Sequence, residues 1–406
     1  SLVVRDGRIT EISDGFVNDF ANQSATIVDL TDAYVLPGLI DCHTHITHDP
    51  YTFSRGRLAA ETSFSEADWA LLGVVQAKAT LAAGFTTVRD VGGFRGGDGG
   101  AVFALRDAIN RGLIDGPRIL TAGQAISVVG GHADVHGFRL EVAEALSSPG
   151  VCTGADGCAY AARALIKRGA DLIKVTATGG VTDIADSGLG QHFTGAELAA
   201  IVEASHLLGR RVAAHAHSAE GIKAALAAGV DSVEHGTFAD PDSFDQFKAQ
   251  GAFFVTTLTA PTYLVEQARL NASLMPEVIR EKLDLAMASL EHSTLAATRA
   301  GVKMAMGTDS GVSPHGENAR ELELLVGIGL TEREAIRAAT TTAAELIQLD
   351  DQIGSIDAGM NADIIAVCEN PLQTISALRS VSFVMKDGDV FRHQRCNGEI
   401  AQVNDK

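Results

Sequence analysis

Basic charge is what this chain has little of. Its 406 residues carry 32 lysines and arginines against 51 aspartates and glutamates, a formal net charge of −19. That balance repels polyanions and argues against nucleic acid or an anionic membrane surface as a partner. No apolar run reaches the roughly 18 residues that a membrane-spanning helix needs. Cysteine is scarce too: five residues are an odd number and too few for a disulfide scaffold. Cys152 and Cys158 lie close enough in sequence to pair if the protein is exported. Two unpaired thiols, one in a loop and one at a helix start, fit at least as well. Cys42, between Asp41 and His43, reads as buried. No Gly-x-Gly-x-x-Gly follows an early strand, which weakens a doubly wound open sheet.

What is present points to a well-buried interior, with 46% hydrophobic and 20% charged residues. The length suits one large barrel with a small addition. The chain opens in a strand-like stretch, Leu2-Val3-Val4-Arg5. Loss of a leader or a first strand ahead of it is one reading, which leaves export open. Asp6-Gly7 and Asp387-Gly388, each between β-rich runs, are hairpin signals. The two chain ends are therefore expected to build one small sheet domain.

Between the ends one phrase recurs: a helix end, a glycine, then a short apolar strand. It appears at Gly84, Gly169, Gly209, Gly229, Gly251 and Gly301. Glycine just past a helix adopts the left-handed conformation cheaply, and short β-branched runs suit parallel strands buried on both faces. Thr194 with Glu197, and Thr331 with Glu334, have capping-box spacing. Adding Leu39-Ile40 and Arg118-Ile119-Leu120 gives eight strands alternating with helices. The expected fold is α/β, a (β/α)8 TIM-like barrel over 37–352. A small β-sandwich is expected from 1–36 and from 353–406, the latter ending in a tail.

Active sites of such barrels lie at the C-terminal strand ends. The first strand runs into His43-Thr44-His45, and residues i and i+2 of a strand point the same way, so both imidazoles can grip one ion. An ordinary polar pair on a half-buried strand is the bland alternative. Strand four contains Lys174, strand five ends at His215-Ala216-His217, strand six at Glu234-His235, and strand eight at Thr308-Asp309. Any one of these fits a satisfied polar residue. Five strand ends converging on ionisable groups do not fit accident.

This set, with Pro37-Gly38-Leu39-Ile40-Asp41 ahead of it, resembles the amidohydrolase superfamily. The similarity runs nearly end to end with the imidazolonepropionase-related branch of Xaa-Pro dipeptidases, zinc carboxypeptidases and ochratoxin-degrading amidohydrolases. It rests also on Gly84-Phe85-Thr86-Thr87-Val88-Arg89-Asp90, Gly130-Gly131-His132-Ala133-Asp134, Gly179-Gly180-Val181, Val233-Glu234-His235-Gly236 and Gly307-Thr308-Asp309. The resemblance implies two divalent metal ions, usually zinc. His43, His45 and Asp309 would hold one, His215 and His235 the other, and Lys174 would bridge them as a carbamate. It also implies Asp309 as the proton-transferring residue and His132 as the oxyanion-stabilising one. The plain alternatives are a buried Lys–Asp pair for Lys174 and a loop histidine for His132. His217 stands where some prolidases of the branch have a tyrosine that contacts the substrate carboxylate. Here it either makes that contact or orients a metal ligand.

In the branch, the loops after strands seven and eight shape the side-chain pocket. Leu258 and Tyr263 in the first, and Val312 and His315 in the second, are the candidate substrate-lining residues. The first loop has no acidic residue before Glu266, whereas a pocket for arginine or lysine needs a carboxylate. The expected substrate is thus a peptide or N-acyl amide of an uncharged C-terminal L-amino acid: an Xaa-Pro dipeptide, an N-acyl proline, or an ochratoxin A-type amide releasing phenylalanine. The alternatives are a cyclic amide, as in imidazolonepropionase, a C-terminal arginine or lysine, and a barrel without chemistry serving as an assembly subunit. The resemblance further implies a homo-oligomer, an octamer among the arrangements it allows.

Overall fold

The computed structural model describes residues 1–15, 25–50, 60, 62–93, 99–183, 188–271 and 276–396; the expected tail from 397 lies outside the described residues. Strands β1 (Leu2–Arg5) and β2 (Arg8–Ile12) form an antiparallel hairpin. Asp6 and Gly7 both take positive φ at its turn, 49° and 76°, as the tight hairpin turn requires. Strand β3 (Tyr34–Pro37) leads through Gly38 into β4 (Leu39–Thr44). A Cβ on Gly38 would sit 2.1 Å from the Thr86 hydroxyl, so only glycine fits there.

Nine strand segments form the eight strands of the barrel, with a two-residue strand paired beside them. After β4 come β5 (Phe85–Asp90), β6 (Arg118–Thr121), β7 (Ala125–Val128), β8 (Val151–Cys152) and β9 (Ile173–Thr176). They are followed by β10 (Val212–Ala216), β11 (Ser232–His235), β12 (Phe253–Val255) and β13 (Lys303–Ala305). Strands β4, β5 and β6 pair in parallel, and β7 continues in parallel through β9, β10, β11 and β12 to β13. The ring closes where Cys42 N–H donates to the Met306 carbonyl at 2.9 Å and Asp309 N–H to the His43 carbonyl at 2.8 Å. The third barrel strand is broken, which the sequence pattern does not announce. Its lower half, β6, pairs with β5; after Ala122-Gly123-Gln124 its upper half, β7, pairs with β9. Gly123 makes that break with φ 71°, its backbone against the Phe103 ring.

The eight expected barrel strands are therefore present. Outward-facing Val175, Val212, Ala214, Val233 and Phe254 pack against helix residues such as Ile201, Leu226 and Phe247, all buried. Each large side chain buried this way stabilises the fold by roughly 1.5–3 kcal/mol. Both capping boxes form, with Glu197 and Glu334 closing on Thr194 and Thr331. Gly169, Gly229 and Gly251 terminate their helices in the left-handed conformation. No described helix is long and apolar enough to cross a membrane.

Strands β14 (Ile364–Val367), β15 (Val381–Lys386) and β16 (Asp389–His393) join β3 in one antiparallel sheet, so both chain ends do meet. The β1–β2 hairpin covers it, with Ile9 packed against Ala362, Ile364 and Phe383. Since β3 runs straight into β4, this small β unit anchors the strand that carries His43 and His45. Cys152 and Cys158 are disulfide-bonded, which decides between the two readings of that pair. A second disulfide, Cys368–Cys396, ties the end of β14 to the chain beyond β16 and has no counterpart in the sequence reading. Cys42 is a buried free thiol, pushed up to about 12 by burial.

Candidate metal centre

Strand alternation places the histidines. On β4, Ile40 and Cys42 pack outward against Ala343, Ala344 and Leu346, so His43 and His45 face the barrel axis. On β9, Ile173 and Val175 face the helices and Lys174 points inward; on β10, Ala214 and Ala216 face out while His215 points in, followed by His217. His235 breaks the rule. Glu234 already points into the barrel toward Arg89, yet His235, its neighbour, also turns inward and lines the central cavity. The left-handed backbone of His235, φ 69°, makes this possible, and Asp309 is held similarly at φ 57°. Two non-glycine residues in that sparsely populated region at one site mark stored strain.

His43, His45, Lys174, His215, His217, His235 and Asp309 all line one cavity at the C-terminal mouth of the barrel, with His132 beside them. The facing ligand atoms of His43, His235 and Asp309 lie within 4.8 Å of one another, as do those of His215, His217 and His235. Two donor sets thus share His235, and the second includes His217.

The rings are oriented for cations. His43 Nδ1–H donates to Glu234 Oε2 at 2.8 Å, and His45 Nδ1–H to the Gly92 carbonyl at 2.5 Å. Each therefore presents Nε2, at 3.6 and 3.1 Å from Asp309 Oδ1. His235 and His217 engage Thr257 and Thr237 through Nδ1, both at 2.7 Å. His215 does the opposite: its Nε2–H donates to the Gly179 carbonyl at 3.3 Å, leaving Nδ1 toward the centre. A bare imidazole nitrogen facing a carboxylate oxygen sets acceptor against acceptor, which a cation resolves. Histidines anchored through their other nitrogen are the usual partners of a bound metal. Burial lowers His43 to about 4 and His217 to about 3, and takes His215 and His235 well below the ordinary histidine value, so these rings stay neutral and their lone pairs free. Burial would raise Asp309, but the His45 ring against it and the charges nearby hold it below the ordinary carboxylate value. Burial brings the Lys174 ammonium down to about 8 despite the carboxylates of Glu234 and Asp309. A neutral amine is then accessible near neutral pH.

The amidohydrolase family model matches residues 34–391, almost the whole chain. The chain belongs to the amidohydrolase family. Ochratoxinase from Aspergillus niger is 35% identical over 380 residues, 88% of this chain and 75% of that protein. The solved structure of a Xaa-Pro dipeptidase with methionine bound in its active site has a TM-score of 0.89 at 38% identity, over 96% of this chain and 94% of that one. A prolidase complexed with N-methylphosphonate-L-proline has a TM-score of 0.84 at 29% identity, over 97% and 94%. The protein is accordingly a hydrolase acting on amide bonds, of a family that binds divalent metals.

Beyond the polar floor the wall of the amidohydrolase cavity is apolar. Val181, Ala260, Leu264 and Val312 meet Leu283, Ala286 and Leu290 of the long helix Glu277–Arg299. Of the pocket residues read from sequence, Val312 is in this lining. Leu258 packs instead in the core beside Leu290 and Met306. Tyr263 lies off the lining, in the field of Glu317, Asp49 and Glu266. His315 is a structural histidine whose Nε2–H donates to the carbonyl of His48 at 3.0 Å, with that of His45 at 3.3 Å. Glu266 is paired with Arg320 through two hydrogen bonds. Three participants lacked a sequence signal of their own role: the helix Glu277–Arg299, the Arg89–Glu234 pair, and Asp183, whose Oδ2 accepts His132 Nδ1–H at 2.7 Å. Gly180 lies beneath that ring, and a Cβ there would come within 2.2 Å of His132 Cε1. Gly180→Ala is therefore expected to displace His132 and, on the oxyanion role that the resemblance implies for this histidine, to lower kcat by about 10²-fold. Its metal content, measured by plasma mass spectrometry, should stay that of the parent.

Proposed function

We propose that this amidohydrolase releases an uncharged L-amino acid from the carboxyl side of an amide bond, using two divalent ions bridged by a carbamate on Lys174. His43, His45 and Asp309 would hold one ion, and His215 and His235 the other, with His217 close enough to join them. The bound pair supplies Lewis acidity toward the amide carbonyl and makes water acidic enough to attack near neutral pH, zinc being the expected metal. Lys174 serves as bridge because its neutral amine adds to carbon dioxide, forming the N–C bond and releasing one proton. The remaining chemistry belongs to the chain. Asp309, ionised at neutral pH, accepts a proton from the attacking water and delivers it to the amine nitrogen as the C–N bond breaks. His132, held by Asp183, donates to the oxygen that gains negative charge.

The observation that carries the substrate class is the cavity wall. Among the described residues that line it, Asp309 is the only carboxylate, and an arginine or lysine side chain against Leu264, Leu283 and Val312 would be a buried, unpaired cation. Glu266, the nearest acidic candidate in sequence, is already neutralised by Arg320. The methionine held in the active site of the Xaa-Pro dipeptidase relative supports the same reading. Two disulfides with the fifth thiol buried support folding in an oxidising compartment.

The test is hydrolysis of matched N-acyl-L-proline, N-acyl-L-phenylalanine, ochratoxin A and N-acyl-L-arginine. Turnover of the neutral amides with kcat/KM at least about 10²-fold above that for arginine is expected, about 3 kcal/mol of discrimination. Faster cleavage of the arginine amide, or ring opening of a cyclic amide with no cleavage of open amides, would overturn the proposal.

A further inference from the structure

A buried ion pair lies below the metal-site residues, inside the barrel. Arg89 on β5 and Glu234 on β11 are 4% and 0% exposed, and the Arg89 guanidinium Nη2 donates to both Glu234 oxygens at 2.8 Å. Ser232 completes the enclosure: its hydroxyl donates to Glu234 Oε1 at 2.6 Å and accepts from Arg89 Nη1 at 3.0 Å. Arg89 Nε–H donates to the carbonyl of Cys42, the residue before His43, at 2.5 Å. Glu234 Oε2 accepts His43 Nδ1–H.

Such a pair is a poor way to stabilise a barrel, because desolvating two charges offsets most of their attraction and apolar residues of similar volume do as well or better. Its geometry gives it another use. A carboxylate can only accept, so Glu234 obliges His43 to carry its proton on Nδ1 and to present Nε2 to the cavity. Arg89 fixes the direction of that carboxylate and, through the Cys42 carbonyl, the backbone that carries the ring. We infer that Arg89 and Glu234 act as one positioning unit that sets the tautomer and aim of His43, so that the affinity of the His43-containing metal site is controlled from two strands that supply it with no ligand through these residues. The inference rests on the proposed metal centre.

Glu234→Gln, Arg89→Met and the double variant test it on the purified full chain. Glutamine fills the same volume but offers both an acceptor and a donor, so either His43 tautomer is tolerated. Chelator-competition titration should find one of two sites weakened by ~10–100-fold, the scale of losing a histidine's outer partner, with the other changed by no more than about threefold. Thermal unfolding of the metal-free proteins separates this from a structural role, with Arg89→Met expected to unfold earlier and the double variant to recover part of the loss. If a single variant fails to fold, the double variant carries the titration. Two sites of parent affinity in folded variants overturn the inference, as does equal weakening of both. A parent chain that holds no metal refutes the metal-centre reading instead, a distinct result.

Discussion

Asp309→Asn is expected to lower kcat on an N-acyl-L-amino acid by about 10²–10⁴-fold, the contribution of a positioned acid–base group. Asparagine keeps the shape and one acceptor oxygen but takes no proton from water and returns none to the leaving nitrogen. The backbone there already adopts φ 57°, a conformation that asparagine tolerates well, so the loop should keep its course. KM should change little, because the proposed substrate's side chain would meet Val312, Leu264 and Leu283 of the cavity wall instead. Steady-state kinetics beside metal analysis reads the result. A kcat within threefold of the parent would remove Asp309 from proton transfer.

Lys174→Ala should be at least as damaging. Two divalent ions a few ångström apart repel, and an anionic bridge is what allows both to stay; alanine supplies none. Activity should fall by about 10³-fold or more, equivalent to the several kcal/mol that metal polarisation contributes. Bound metal should drop with it, and millimolar acetate or propionate should restore part of both by placing a carboxylate in the vacated space. The parent's dependence on pH follows from the amine. With Lys174 lowered to about 8, the neutral form that takes up carbon dioxide grows as pH rises through that value. Reconstitution of metal-free enzyme with metal, at dissolved carbon dioxide held constant, should therefore be faster at pH 8.5 than at pH 7. Full activity in Lys174→Ala without added carboxylate would contradict the bridging role.

The parts of this molecule that were legible in its sequence are those set by local rules. Glycines closing helices ahead of short apolar runs located the barrel strands, and alternation placed His43 with His45 and His215 with His217. The break of the third strand at Ala122-Gly123-Gln124 was not legible, because it depends on which neighbour each half finds. Alternation also fails at Glu234-His235, where a left-handed residue turns two consecutive side chains inward. The pocket was misjudged for a related reason. Leu258 and His315 sit in the right loops, but Glu321 at 2.9 Å from Leu258 N and the His48 carbonyl at 3.0 Å from His315 draw both elements into the frame. The wall they leave is supplied by Leu283, Ala286 and Leu290, from a helix the strand pattern says nothing about. The same holds for the contacts of Arg89 with Glu234 and of His132 with Asp183, made between residues 145 and 51 positions apart. Such pairs become visible only when the barrel closes.

His43, His45, Lys174, His215, His235 and Asp309 are proposed to form a metal centre that cleaves amides of uncharged amino acids. Metal content per chain, measured on protein purified without chelator and with bicarbonate beside N-acyl-L-phenylalanine hydrolysis, tests it most directly. The account predicts about two divalent ions per chain, with activity lost on their removal and regained on their return. A chain that hydrolyses the amide at an unchanged rate after complete metal removal would contradict it.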